Sequence, residues 1–202
     1  YRRQRQMCIR DSIWIGTFNG LNRYNKITGL FQNHTANDTQ ADGLTHSSIW
    51  CIVKDNQGTL WLGTYFGGVN YFNPEYEIYT RYSYSSNEKK GLSNPVVGRT
   101  IEDRDGNLWI GTEGGGLNYY NRRTREFKWY RPQEGRNSIS HNNVKALYYD
   151  ADKEIIWIGT HLGGLNKLDI RSGHFTHYRM EEGNPNTCLL YTSDAADDMQ
   201  CV

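Results

Sequence analysis

Apolar and polar positions along this chain alternate in short runs, and no long stretch combines helical spacing with helix caps. Three runs are apolar at successive positions: Leu60-Trp61-Leu62, Leu108-Trp109-Ile110 and Ile156-Trp157-Ile158. A strand that reads apolar throughout is one covered on both faces. Each run leads through Gly-Gly to a second stretch such as Leu117-Asn118-Tyr119-Tyr120, which predicts a hairpin whose turn uses the positive φ that glycine tolerates. Each is preceded by a further strand and an Asp-led turn. Ile49 to Val53 runs into Asp55 to Gly58, Val97 to Ile101 into Asp103 to Gly106, and Val144 to Tyr148 into Asp150 to Lys153. The last turn has Glu154 where the others have glycine, so it must take another form. A fourth strand in each unit is predicted at Phe31 to His34, Tyr79 to Tyr82, Phe127 to Tyr130 and Phe175 to Tyr178.

The pattern is a repeat. Trp14, Trp61, Trp109 and Trp157 each open the words Trp-Ile/Leu-Gly-Thr, at spacings of 47, 48 and 48 residues. Asn22, Asn70, Asn118 and Asn166 recur at matching places. Four antiparallel strands repeated at this period predict an all-β fold, a β-propeller fragment of about four four-stranded blades. A lone sheet cannot cover its own two faces, so blades must stack, with the tryptophans filling the gaps at roughly 2–3 kcal/mol each when fully buried. An asparagine needed once per blade reads as structural, its side chain bonded to a neighbouring turn.

The string D-x-x-G-x-L-W-I-G-T-x-x-G-G-L-N-x-Y-N, complete from Asp103 to Asn121, resembles the two-component regulator propeller repeat. The resemblance extends from residue 13 to about 187. It implies a seven-bladed ring, usually one of two in tandem, followed by a small β-sandwich. It also implies an extracytoplasmic sensor: the periplasmic part of an inner-membrane hybrid two-component protein with a histidine kinase or, in other members, a diguanylate cyclase. The expected partners are the remaining blades and kinase module of the parent chain, a second copy in a homodimer, and an oligosaccharide ligand. The segment itself is expected to catalyse nothing.

Residues 1–12 and 188–202 fit no repeat and resemble translated adapter sequence, so both read as non-native or disordered tails. The repeats occupy 13–187, with blades at about 13–37, 47–85, 95–132 and 142–180. The first blade is expected to lack its first strand, giving 15 strands in about half of a ring. A competing geometry pairs Leu189-Leu190-Tyr191 as that missing strand and closes a ring of four.

Composition narrows the functional classes. The 202 residues are ample for one core, and the net charge of +1, with both signs interspersed, gives no footprint for nucleic acid or an anionic membrane. No apolar run approaches the roughly 20 residues of a membrane helix, and no secretory signal is visible. Three of the four cysteines, Cys8, Cys188 and Cys201, lie in the tails. Cys51 is left in an inner strand, where it reads as a small hydrophobe. No disulfide framework, metal site or cofactor motif is present.

Candidate chemistry lies where the repeat changes its wording. The loop between second and third strands holds Phe18-Asn19, Tyr65-Phe66, Glu113-Gly114 and His161-Leu162 in successive units. The inner strands vary at Trp50, Gly98 and Lys145, and again at Cys51, Arg99 and Ala146. Variable residues on a rigid frame are where binding residues usually sit. Tyr65, Phe66, Glu113, His161, Trp50, Arg99 and Lys145 are therefore the ligand-binding candidates. Aromatic faces with hydrogen-bonding groups suit a carbohydrate, and Arg99 with Lys145 suits an anionic one. Two other readings stay open. A polysaccharide hydrolase or lyase needs a facing acid pair, and a protein-interaction propeller needs a large exposed apolar patch.

Overall fold

The computed structural model describes residues 6–9, 11–36, 43–180 and 184, among which sixteen strands form four separate antiparallel sheets, each in sequence order. The first sheet holds β1 (Gln6–Ile9), β2 (Ser12–Thr17), β3 (Gly20–Asn25) and β4 (Phe31–His34). The second holds β5 (Ile49–Lys54), β6 (Leu60–Thr64), β7 (Val69–Asn73) and β8 (Ile78–Tyr82). β9 (Val97–Glu102), β10 (Leu108–Thr112), β11 (Gly116–Asn121) and β12 (Glu126–Tyr130) make the third. The fourth is β13 (Val144–Asp150), β14 (Ile155–Thr160), β15 (Gly164–Asp169) and β16 (Phe175–Tyr178). Each sheet is one propeller blade.

β1 departs from the sequence reading of residues 1–12 as a tail outside the repeats. It pairs antiparallel with β2, Met7 opposite Trp14, and gives the first blade the strand that reading left out. The pairing needs only main-chain groups. An open edge on β2 offers a row of them, so a segment need not carry the repeat's wording to add there. The expectations for residues 188–202, including the ring closed through Leu189 to Tyr191, lie outside the described residues.

Three apolar clusters weld successive blades. Trp14 packs edge-on against Phe72 with ring centroids 5.3 Å apart, in a cluster with Leu60 and Leu62. Trp61 meets Tyr120 among Leu108, Ile110 and Phe127. Trp109 lies with Ile156, Ile158, Leu168 and Phe175. Strand alternation explains the plan: the tryptophan points to the following blade, and its two neighbours point to the preceding one. Every residue of β6 and β10 is therefore buried, whereas β2 alternates buried with half-buried and Trp157 of β14 is only half-buried. Among the described residues each end of the row keeps an uncovered face. Ile13, Tyr24 and Phe31 mark one, and Tyr148, Trp157 and Tyr178 the other.

The glycine of Trp-Ile/Leu-Gly-Thr sets how closely blades approach. A methyl group on Gly111 would lie 2.5 Å from Val144, in the next blade's inner strand, and one on Gly63 would lie 2.7 Å from Val97. The glycine at or just before the start of each third strand serves a different need. Gly68, Gly116 and Gly164 have φ of 74°, 81° and 76°, which the tight return from the second strand requires.

The repeated asparagines tie each blade to the connection before it. The Asn70 carboxamide oxygen accepts from the Thr45 N–H at 3.0 Å, Asn118 from Ser93 at 2.8 Å, and Asn166 from Ser140 at 2.8 Å. Among the described residues Asn22 makes only long contacts of 3.5 Å, to Ile15 and Thr17 of its own blade. At the opposite end of the blades, Asp55 and Asp103 accept from the indole N–H groups of Trp61 and Trp109 at 2.9 and 3.1 Å. The turn at Glu154 keeps a left-handed residue without glycine, at φ 54°, and is one residue shorter than its counterparts in the second and third blades. The Glu154 carboxylate is clamped by Arg171 and by Arg104 from the third blade.

Candidate functional site

One face of the blade row gathers the connections and the loops between second and third strands. The N–H groups of Tyr65, Glu113 and His161 bond to the carbonyls of Ser48, Val96 and Asn143, just before each inner strand, at 3.1, 3.0 and 2.9 Å. Further bonds cross to the next blade: Gly68 to Pro95 at 3.0 Å, and Gly116 to Asn142 at 2.7 Å. The threonine of each repeat closes its loop, as Thr64 does through Gly68 at 2.8 Å and Thr112 through Gly116 at 2.9 Å. This face is therefore a fixed frame carrying different side chains.

The inner strands add a feature that the sequence does not reveal. In β5 the register shifts between Ile49 and Cys51, in β9 between Val97 and Arg99, and in β13 between Val144 and Ala146. Trp50, Gly98 and Lys145 are the extra residues of three equivalent β-bulges. A bulge leaves one residue out of the ladder and re-aims its side chain, so the variable inner positions turn toward the variable loops.

In the second blade Trp50 stacks on Tyr65 at 4.6 Å and 28° between planes, and Phe66 meets Tyr65 edge-on at 4.3 Å. His46 of the connection completes the group, 6.4 Å from both rings. Phe66 is 57% exposed, so the cluster presents an open aromatic surface.

Between the third and fourth blades the expectation that Lys145 and Arg99 would together face an anion changes. Lys145 Nζ lies 2.8 Å from the Glu113 carboxylate, both side chains about three-quarters buried, so the two candidates neutralise one another across the junction. Arg99 is half-buried on the neighbouring inner strand, opposite Gly111. Gly98 places no side chain between Trp50 and the Lys145–Glu113 pair.

His161 stands 6.2 Å from His141 of the connection, with its own Nδ1 buried and unbonded. His141 Nδ1 accepts from the Asn143 N–H at 3.0 Å, which puts its proton on Nε2. Burial, with the neighbouring His161 second, holds the His141 pKa below its ordinary value. His46 makes the same bond to Ser48 and Asn94 its carboxamide version to Val96. His46, Asn94 and His141 thus form a third ring of variable residues that the sequence reading passed over. Their signal was there: they stand one blade period apart, each three residues before an inner strand.

The structure thus brings Trp50, Tyr65 and Phe66 into one cluster, Glu113 and Lys145 into another, and His161 into a third with His141. It holds Trp14, Trp61, Trp109 and the four asparagines within the frame. Among the described residues no group of three or more His, Cys, Asp or Glu side chains could hold a metal ion. No helix there is long and apolar enough to cross a membrane.

A family model described as two component regulator propeller matches residues 43–66, 91–114 and 138–161. Each match runs from a connection through the inner strand to the loop face. The chain is similar to the crystal structure of an extracellular domain assigned to a hybrid two component system of B. thetaiotaomicron, with 28% identity and a TM-score of 0.71. That match covers 83% of this chain and 22% of the other. An extracellular domain assigned to a one component system of the same organism gives 24% identity, TM-score 0.71, and coverage of 91% and 23%. PorZ, a surface component of the type-IX secretion system of Porphyromonas gingivalis, shares the fold at 19% identity and TM-score 0.61, with coverage of 89% and 27%. The chain thus spans about a quarter of the length of each. No curated protein sequence matches it.

Proposed function

We propose that this chain, whose second, third and fourth blades carry the two component regulator propeller repeat, is the ligand-sensing part of a hybrid two-component sensor. Its parent places these blades in a seven-bladed ring on the periplasmic side of the inner membrane and passes the signal to a histidine kinase, as a homodimer. The ligand is a glycan-derived oligosaccharide. One observation carries the reading: three equivalent bulges, in an otherwise repeated frame, turn Trp50, Gly98 and Lys145 toward loops that differ in the same blades. A frame kept constant while one row of side chains varies is the arrangement of a selective surface. The stacked rings of Trp50 and Tyr65 offer a sugar its apolar face, the gap at Gly98 gives room for a ring, and the Lys145–Glu113 pair offers donor and acceptor to hydroxyls.

The same pair argues against catalysis. Glu113 is the acidic side chain among the four loops, and its bond to Lys145 leaves it committed to a cation. Ligand binding would reach the kinase by favouring one arrangement of the blades, or of the dimer, over another. The test is a glycan array followed by calorimetry on the strongest hits. Tyr65→Ala and Lys145→Ala should each weaken an oligosaccharide by roughly ten-fold or more. Binding that neither substitution alters would mean that the loop face is not the binding surface.

A second reading has its own support. Phe18, Phe66 and Leu162 project from equivalent loops and are 66%, 57% and 71% exposed. A protein partner that covers all three would lose affinity with Phe66→Ser, whereas an oligosaccharide seated on Trp50 and Tyr65 would lose less.

A further inference from the structure

A groove of about 420 Å³ runs along the junction of the second and third blades. It opens beside the β5–β6 and β11–β12 turns, at the opposite end of the blades from the loop face. Its back wall is aromatic. Tyr71 lies 4.6 Å from Trp61, and Tyr82 stacks on Trp61 at 5.7 Å and 19°. The Tyr82 and Tyr120 hydroxyls share a hydrogen bond of 2.9 Å. Thr80 and Gln57 border the opening with a hydroxyl and a carboxamide.

Two guanidinium groups from the third blade face this wall, and they differ. Arg122 is spent on the protein: its Nη2 lies 2.9 Å from Asp55 and 3.6 Å from Glu102. Arg125 has no carboxylate within ion-pair distance among the described residues. It also holds a left-handed backbone at φ 59°, as its second-blade equivalent Glu77 does at 55°, where the first and fourth blades place Gly29 and Gly173 at φ 71° and 70°. A long cationic side chain kept at a position that favours glycine is a strained feature of the kind that gathers at functional sites.

The preceding junction shows what this place can do. There the equivalent residue is Glu77, which bonds Gln32 at 3.2 Å and lies 4.0 Å from Arg23. The protein supplies both the anion and its receptors. At the junction of the second and third blades the polarity is reversed, and among the described residues Asp55 and Glu102 serve Arg122 and leave no carboxylate on Arg125.

We propose that this groove is a second binding site, distinct from the loop face, for a small polyhydroxylated monocarboxylate of the size of a hexuronic acid. The carboxylate pairs with Arg125. The ring hydroxyls meet Tyr82, Thr80 and Gln57, and the ring lies along Tyr71. A single negative charge suits the site, because Asp55 and Glu102 stand just behind Arg122 and repel a phosphate dianion. Tyrosine hydroxyls that both donate and accept suit a polyol better than a hydrocarbon acid.

The test titrates glucuronate and glucose into the 202-residue chain, following the Trp61 indole N–H by nuclear magnetic resonance. Glucuronate should give a saturable shift, and glucose should bind at least about ten-fold more weakly. Arg125→Gly is the variant of choice, because glycine relieves the left-handed backbone and keeps the fold. It should weaken glucuronate at least about ten-fold, leave glucose unchanged and not lower the melting temperature. Tyr65→Ala, on the loop face, should leave both titrations as they were. The proposal is overturned if glucuronate gives no saturable shift, if glucose binds as well, or if Arg125→Gly changes nothing. It is equally overturned if Tyr65→Ala rather than Arg125→Gly abolishes binding, since the acid then sits on the loop face.

Discussion

The indole N–H of Trp61 donates to the Asp55 carboxylate across 2.9 Å, and Arg122 of the following blade reaches the same oxygen at 2.9 Å. One buried carboxylate thus orients the tryptophan that fills a junction and binds the blade on its far side. Asp103 serves Trp109 at 3.1 Å, and no ion pair to it is formed from the next blade among the described residues. Asp55→Asn should therefore cost about 2–4 kcal/mol, because it weakens two bonds and leaves a partly buried guanidinium with only the longer contact to Glu102. Asp103→Asn should cost about 1 kcal/mol. Urea denaturation of the two variants checks the order.

Glycines at equivalent positions should differ in the same way. A methyl group at Gly111 would meet Val144 at 2.5 Å, whereas at Gly159 the nearest atom is Ala146 Cβ at 3.2 Å. Gly111→Ala should destabilise by about 1–3 kcal/mol and Gly159→Ala by well under 1 kcal/mol. Equal costs would mean that the close approach of blades is not what these glycines serve.

The tryptophans offer a parallel comparison by volume removed. Trp109 is 2% exposed, and Trp157 lies on the uncovered face of the fourth blade. Trp109→Ala should cost about 3–5 kcal/mol and Trp157→Ala less than half of that, by thermal or chemical denaturation.

Stability should also depend on pH through the first junction. His34 lies between Trp14 and Phe72, its ring 5.8 and 5.4 Å from theirs, and its Nε2 is buried without a partner. Burial is the leading reason its pKa falls below 6.5; Glu77 opposes the shift and Arg23 adds to it. The unfolded chain then binds more protons than the native one in the window below pH 6.5, so stability rises with pH there. This contribution is fully present above pH 6.5 and declines as pH falls through the lower native value. Replacing His34 with Phe should flatten that part of the stability profile. An unchanged slope would assign it to other groups.

The blades were legible because each strand repeats its own words. Leu60-Trp61-Leu62 and Leu108-Trp109-Ile110 spell strands covered on both faces, and burial of all five residues in β6 and β10 follows from the neighbours on either side. The site was legible only as a set of positions. That Trp50, Gly98 and Lys145 vary can be read from the chain, but the register shift that turns them is a property of pairing and leaves no mark in the spacing. The Lys145–Glu113 bond joins residues of different blades through geometry alone. β1 was unreadable for the converse reason: a strand held by main-chain bonds to an edge need not carry the repeat's side chains.

The most direct test of the sensor reading is the genomic sequence on both sides of this chain's coding region. The frame is expected to continue into further Trp-Ile-Gly-Thr repeats, whose blades would cover Phe31 at one end and Trp157 at the other, and then into a membrane helix and a histidine kinase. A frame that closes at both ends, or that leads into a catalytic domain acting on polysaccharides, would contradict it.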